Sequence, residues 1–202
     1  MDEAKSVMLC GLGPSKYQLM EGMVQHTPPT AWDELWTVNT GARLLPRADK
    51  VFVMDDIADY CTRYPGYCKA LRDFEGRVIG QTAFPSEAEA LGVLWTDYPL
   101  REVIEHWGRG CDNWLHTISI GYVLAYAGFA GVERLFLSGI DCSWPNRPDL
   151  TEAGNAVVCY WIGRLEQSGC EVIINSESAL NETNQRERYG YRKLYGYLRQ
   201  PS

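Results

Sequence analysis

Two glycines stand one residue apart, Gly11 and Gly13, and Pro14 and Ser15 follow them directly behind the short apolar run Ser6–Cys10. A Gly-x-Gly turn lets backbone pass close to a ligand, and Pro14-Ser15 can open a helix whose first N–H groups suit a phosphate. A plain glycine-rich turn between a strand and a helix has the same pattern. The third glycine of the dinucleotide fingerprint is missing, position 16 is Lys, and no G-x-x-x-x-G-K-S/T occurs. NAD and P-loop readings are both weakened. Asn39-Thr40 and Asp55-Asp56 each follow a further apolar run. The aspartates have the chemistry to hold Mg²⁺ on a diphosphate or to bind a ribose, and one of such a pair usually caps the next helix. Neighbours on an extended strand face opposite ways, so both serving one metal requires a turn there. A fourth run ends in Ser138-Gly139-Ile140-Asp141, with Ser143 beyond it. The stretch Cys111–Ser119 is dense in donors and acceptors, with Asn113, His116 and Ser119 among them. An imidazole can take a proton from a hydroxyl at neutral pH, which singles out His116 as a base; a locally bonded, packed histidine is the alternative. His26 and His106 read as surface residues.

These residues need elements to position them. Ser6–Cys10, Glu34–Val38, Lys50–Met54, Arg77–Ile79, Val93–Trp95, Val132–Leu137 and Glu171–Ile174 read as strands, most of them short and apolar. Tyr17–Gln25 reads as a helix. Asn113 to Phe129 reads as one long helix capped by Asn113, and Asp149 and Glu152 have the spacing of a capping box for a helix running to about Gln167. Residues 81–110 are the least legible. Strands interleaved with helices imply right-handed crossovers and a mostly parallel sheet, hence a single α/β, Rossmann-like three-layer domain over residues 1–180. In such sheets ligands bind beyond the carboxyl ends of the strands, near the topological switch point. That is where the polar residues collect. Residues 181–202 form a separate tail, in which Arg186, Arg188, Arg192, Lys193 and Arg199 alternate with Tyr189, Tyr191, Tyr195 and Tyr197. Such a tail is a solvated helix, an arm across a second subunit in a homo-oligomer, or a stacking surface for nucleic acid.

The 202 residues are 46% apolar and 22% charged, values that exclude a disordered or coiled-coil body. A net charge of −7 disfavours a broad face for duplex nucleic acid. No stretch is long and apolar enough for a membrane span, and the acidic start does not resemble a secretion signal, so a cytoplasmic protein is expected. The seven cysteines are irregularly spaced with no C-x2-C pair, which predicts free, mostly buried thiols.

Leu9-Cys-Gly-Leu-Gly-Pro-Ser15 resembles the first turn of bacterial sialyltransferase-like glycosyltransferases. It also resembles that of the related motility accessory factors and pterin diphosphokinases of the MptE type. The stretch His116 to Asp141, ending in Gly139-Ile140-Asp141, is similar to their helix–turn–strand segment. The resemblance implies a nucleotide-binding Rossmann-like domain that transfers a group from an activated nucleotide. Gly11, Gly13, Pro14 and Ser15 would hold the donor phosphate. Asn39, Thr40 and Asp55 would orient ribose, sugar or metal, Asn113, Ser119 and Ser143 would contact base or donor, and Asp141, also at the donor, would be catalytic alongside His116. No histidine follows Asp141, where those enzymes place a catalytic one, so the base falls to His116 or a carboxylate. The favoured function is a glycosyltransferase-like transferase with a nucleotide-sugar donor. A Mg²⁺-dependent ATP diphosphokinase and a non-catalytic nucleotide-binding protein are the alternatives. A sugar, a lipid-linked saccharide, a protein side chain and a modified nucleobase all fit as acceptor.

Overall fold

A computed structural model describes residues 5–17, 19–20, 32–45, 48–64, 66–81, 83, 85–108, 110–115, 118–144 and 146–181. Seven strands form one sheet: β1 (Ser6–Cys10), β2 (Glu34–Val38), β3 (Lys50–Val53), β4 (Arg77–Gly80), β5 (Trp95–Asp97), β6 (Arg134–Ser138) and β7 (Glu171–Ile174). Their order is β5-β4-β3-β2-β1-β6-β7, and every pairing between them is parallel. The chain therefore leaves β1 toward one edge and later returns to its other side. β1 and β6 are the switch point.

Side-chain alternation along β1 explains the layers. Val7 and Leu9 join Trp36, Phe52, Leu135 and Leu137 on one face, while Met8 and Cys10 join Leu35, Val51, Val53 and Val78 on the other. The second face is covered by α1 (Gly41–Leu44), α2 (Ile57–Arg63), α3 (Tyr67–Arg72) and α4 (Pro85–Ala90). The first is covered by α5 (Leu100–Trp107), α6 (Ser119–Phe129) and α7 (Pro148–Gln167). In α7 the buried residues Val157, Trp161 and Leu165 recur every four positions, so one stripe of the helix meets the sheet. This is the expected α/β three-layer domain.

Several local expectations are corrected. The helix foreseen from Asn113 begins only at Ser119, and Asn113 sits exposed on a single 3-10 turn over Asp112–Trp114. The Trp114 carbonyl accepts from the Trp161 indole at 3.1 Å, so a partner on α7 has taken a helix acceptor. Asp149 does not cap α7: Pro148 takes the first helical position, and the Asp149 carboxylate pairs with Arg147 through both oxygens (3.0 and 2.7 Å). Val93 closes the turn after α4, its N–H on the Ala88 carbonyl at 2.9 Å, and the fifth strand begins two residues later. Cys61 and Cys68 are not free thiols. The turn between α2 and α3 brings their Cα atoms to 5.3 Å and they form a disulfide. Among the described residues Cys10, Cys111, Cys142 and Cys170 are buried and free, as expected, and Cys159 is exposed. No helix among the described residues is long and apolar enough to cross a membrane.

Candidate active site

The parallel register brings Cys10 level with Thr37 and with Ser138, and Val53 level with Gly80. The segments leaving β1, β2, β3, β4 and β6 thus emerge along one rim. They wall a cavity of about 550 Å³ together with the first residues of α6 and the loop before α7.

At the β1/β6 end the two resembling motifs lock into each other. Gly11 N–H donates to the Ser138 carbonyl (2.8 Å) and Gly13 N–H to the Gly139 carbonyl (2.7 Å). Ser15 donates to Asp141 Oδ2 through its N–H (2.9 Å) and its hydroxyl (3.0 Å), and its Oγ accepts from Gly139 N–H at 2.8 Å. Asp141 Oδ1 accepts from Ala179 N–H at 3.1 Å, and Asn175 ties Ser138 Oγ and the Ser15 carbonyl together. Asp141 is only 4% exposed, so these dipoles are what stabilise its buried charge. The glycines are needed for this contact. A Cβ on Gly13 would lie 2.2 Å from Asp141 Oδ2, and one on Gly11 would lie 2.4 Å from the Gly139 carbonyl oxygen. The first-turn N–H groups of Gly11, Gly13 and Ser15, which sequence assigns to a phosphate, are therefore spent inside the protein.

A second cluster lies at the ends of β2 and β3. Asn39 Nδ2 donates to Asp55 Oδ2 at 2.7 Å, and Ser119 Oγ approaches the same oxygen at 3.4 Å. Tyr60, one turn into α2, lines the cavity beside Asp55. Burial, and secondarily the Asp55 charge, pushes its phenol up to about 12, so it stays protonated at neutral pH. Asn39 and Cys142 are the two non-glycine residues with left-handed backbone among those described (φ 45° and 41°), and both line the cavity. Strain gathered at one cleft is a mark of a functional site. The Cys142 thiol is pushed up to about 12 by burial and is no nucleophile.

Of the residues named from sequence, Gly13, Pro14, Asn39, Asp55, Ser119, Asp141 and Ser143 line this cavity. Gly11 and Ser15 support it from behind through the contacts above. Thr40 precedes α1 without a side-chain capping bond and is not part of the lining. Asn113 stands outside it. Asp56 is turned away: it caps α2, accepting from Ala58 and Asp59 N–H groups at 2.9 and 3.0 Å. Asp55 and Asp56 are thus not a joint metal site, and the described residues hold no cluster of three potential ligands. Asp55 is left as the carboxylate at this end of the cavity that could hold Mg²⁺ together with a donor's phosphates. His116 and the tail 182–202 lie outside the described residues.

Sequence reasoning missed Tyr60, Gln81, Tyr122, Trp144 and Leu150, which also line the cavity. Gln81 carried a legible signal, a polar residue directly after a strand. The others are ordinary helix or loop residues by sequence, and only packing aims them at the cleft.

No protein-family model matches the chain, and no curated protein matches it in sequence. Solved structures do match. The sialyltransferase CstII from Campylobacter jejuni, in complex with the substrate analogue CMP-3FNeuAc, superposes with a TM-score of 0.55 at 13% identity, covering 87% of this chain and 82% of that one. The same enzyme with cytidine-5'-monophosphate gives a TM-score of 0.54 at 13% identity over 89% and 83%. The chain has an α/β Rossmann-like fold of the kind seen in this sialyltransferase.

Proposed function

We propose that this chain is a glycosyltransferase-type group transferase that takes a nucleotide-sugar donor in the cavity at the β1/β6 switch point. One observation carries the reading. Residues from five strand ends and the start of α6, scattered over more than a hundred positions, converge on that cavity in a fold also found in a sialyltransferase complexed with a cytidine nucleotide.

The phosphate would not be held by the N–H groups of Gly11, Gly13 and Ser15. Helix α6 begins at the cavity wall with Ser119 and Ile120, and its N-cap residue Ile118 supplies no side-chain cap. Its first N–H groups and positive dipole end are the anion-holding features on offer. Leu12–Pro14 and Ser143 bound the other side. In the transfer, an acceptor hydroxyl oxygen forms a bond to the donor's anomeric carbon. The bond from that carbon to phosphate oxygen breaks, and the nucleotide leaves with the electron pair. His116, two residues upstream of Ile118 in the chain, takes the hydroxyl proton. Asp55, held by Asn39 and Ser119, orients the sugar. Asp141 keeps the first turn in place rather than meeting the reacting atoms. Much of the rate would come from alignment of donor and acceptor.

Calorimetric titration with CMP, UDP, GDP and Mg·ATP tests the reading, followed by assay of nucleotide release from the sugar donors of whichever nucleotide binds. Binding of a sugar nucleotide with slow release, and a His116→Ala variant losing about 10²–10⁴-fold in kcat with donor Kd unchanged, is the expected result. Binding of Mg·ATP alone, or of no nucleotide, would overturn it.

A further inference from the structure

The wall built by the ends of β2, β3 and β4 is unusual in the sign of its hydrogen bonding. Asn39 is 7% exposed and spends its amide nitrogen on Asp55. Only the NH₂ end of an amide can serve a carboxylate, so the orientation of this side chain is fixed by chemistry. Its Oδ1 is then buried in the cavity wall without a donor. A buried acceptor in that state costs stability until something donates to it. Apart from the Tyr60 hydroxyl, a donor already engaged with Asp55, the neighbouring groups are of the same kind. Ser119 directs its hydroxyl toward Asp55, leaving the lone pairs of Oγ for a ligand. Gln81 commits its amide nitrogen to the Met54 carbonyl, which leaves Oε1 as the end that can meet a ligand. Asp55 adds a carboxylate. Among the described residues that line the cavity there is no Lys, Arg or His.

Resting on the transferase reading, we infer that this wall selects an uncharged, hydroxyl-rich glycosyl group and rejects a sugar that carries a carboxylate. One sugar hydroxyl donates to Asp55, and a small turn of the Asn39 amide as the sugar enters brings Oδ1, otherwise closed to solvent, within reach of a second. A carboxylate brings no proton to donate and meets Asp55 as a like charge at short range in a partly desolvated cleft. Asp55 and Asn39 are then the specificity-determining residues for the transferred group.

Matched donors on one nucleotide isolate the effect, because phosphate and base contributions cancel. UDP-glucose is compared with UDP-glucuronate, GDP-mannose with GDP-mannuronate, and the methyl ester of CMP-sialic acid with the free acid, all by calorimetry. The neutral member of the pair that binds is expected to be at least about tenfold tighter, and Asp55→Asn should bring the ratio to within about threefold. Wild-type protein supplies a second readout that needs no variant. Raising the ionic strength should improve binding of the carboxylate sugar relative to its neutral partner by screening the repulsion. Equal or tighter binding of the carboxylate sugar, with no such salt response, overturns the inference and leaves the transferase reading standing. Failure of every nucleotide to bind removes both.

Discussion

Asp141 is the residue at which a structural and a catalytic role predict opposite results. Its carboxylate accepts from Ser15 N–H, Ser15 Oγ and Ala179 N–H at 2.9, 3.0 and 3.1 Å, and it is 4% exposed. Asp141→Asn keeps the shape and removes the charge. The amide oxygen can still serve Ser15, but its NH₂ then faces the Ala179 N–H. One charge-assisted hydrogen bond is lost, worth about 1.5–3 kcal/mol, and a buried donor is left facing a donor at a cost of about 1–3 kcal/mol. Relief from burying a charge offsets part of this. A net loss of about 2–4 kcal/mol follows from these magnitudes, and for a chain of this size that is a fall in Tm of roughly 5–15 °C. Thermal unfolding followed by circular dichroism, without ligand, measures it. The single variants Ser15→Ala and Asp141→Ala and their double mutant should also show strong coupling, because both remove the hydrogen bond from Ser15 Oγ to Asp141. An Asp141→Asn protein with unchanged Tm and abolished donor binding would refute the argument and return Asp141 to the ligand.

Two further predictions concern the region beside Asp55. Replacing Cys61 by Ser removes the bridge to Cys68, which closes a loop with a sequence separation of 7 residues; the loss is about 2.5 kcal/mol on a loop-entropy estimate. Non-reducing mass mapping together with thermal unfolding checks this, and a Tm indifferent both to Cys61→Ser and to reductant would contradict it. The buried tyrosines make a pH prediction. Desolvation raises Tyr60 from 10.0 to about 12 and raises Tyr67 and Tyr98 further still. Their contribution to stability is complete below the unfolded value near 10 and is lost as pH rises through the folded values. Phenolate absorbance should therefore show a tyrosine class that ionises only with unfolding above pH 10; smooth titration of every tyrosine in the folded protein would contradict this.

The central strands β1, β2 and β3 were legible because each is a short apolar run ended by a polar turn, and burial on both faces leaves such runs little else to be. Their polar ends were legible as a shared crevice for the same reason. The span 81–110 was not, because α4 is short and β5 is three residues at the sheet's edge with only Trp95 half-buried; α5 does carry a helical period, with Val103 and Trp107 buried four residues apart, but it has no side-chain cap to mark its start. The start of α6 was missed because Trp114 meets Trp161, a contact 47 residues away in the chain. The disulfide was missed because a separation of seven says nothing until Gly66, at φ 82°, folds α3 back beside α2.

Composition, alternation and the placement of polar residues at strand ends thus determined the layer architecture and the rim on which a ligand would be sought. Those are properties of local sequence, since burial pattern and turn chemistry act over a few residues. The division of labour along the rim was decided by tertiary structure alone. Whether Gly13, Ser15 and Asp141 face a ligand or each other, which of Asp55 and Asp56 enters the cleft, and whether Asn39 keeps an acceptor to spare all depend on hydrogen bonds between residues up to 126 positions apart. A donor can be spent only once, and sequence does not show on what.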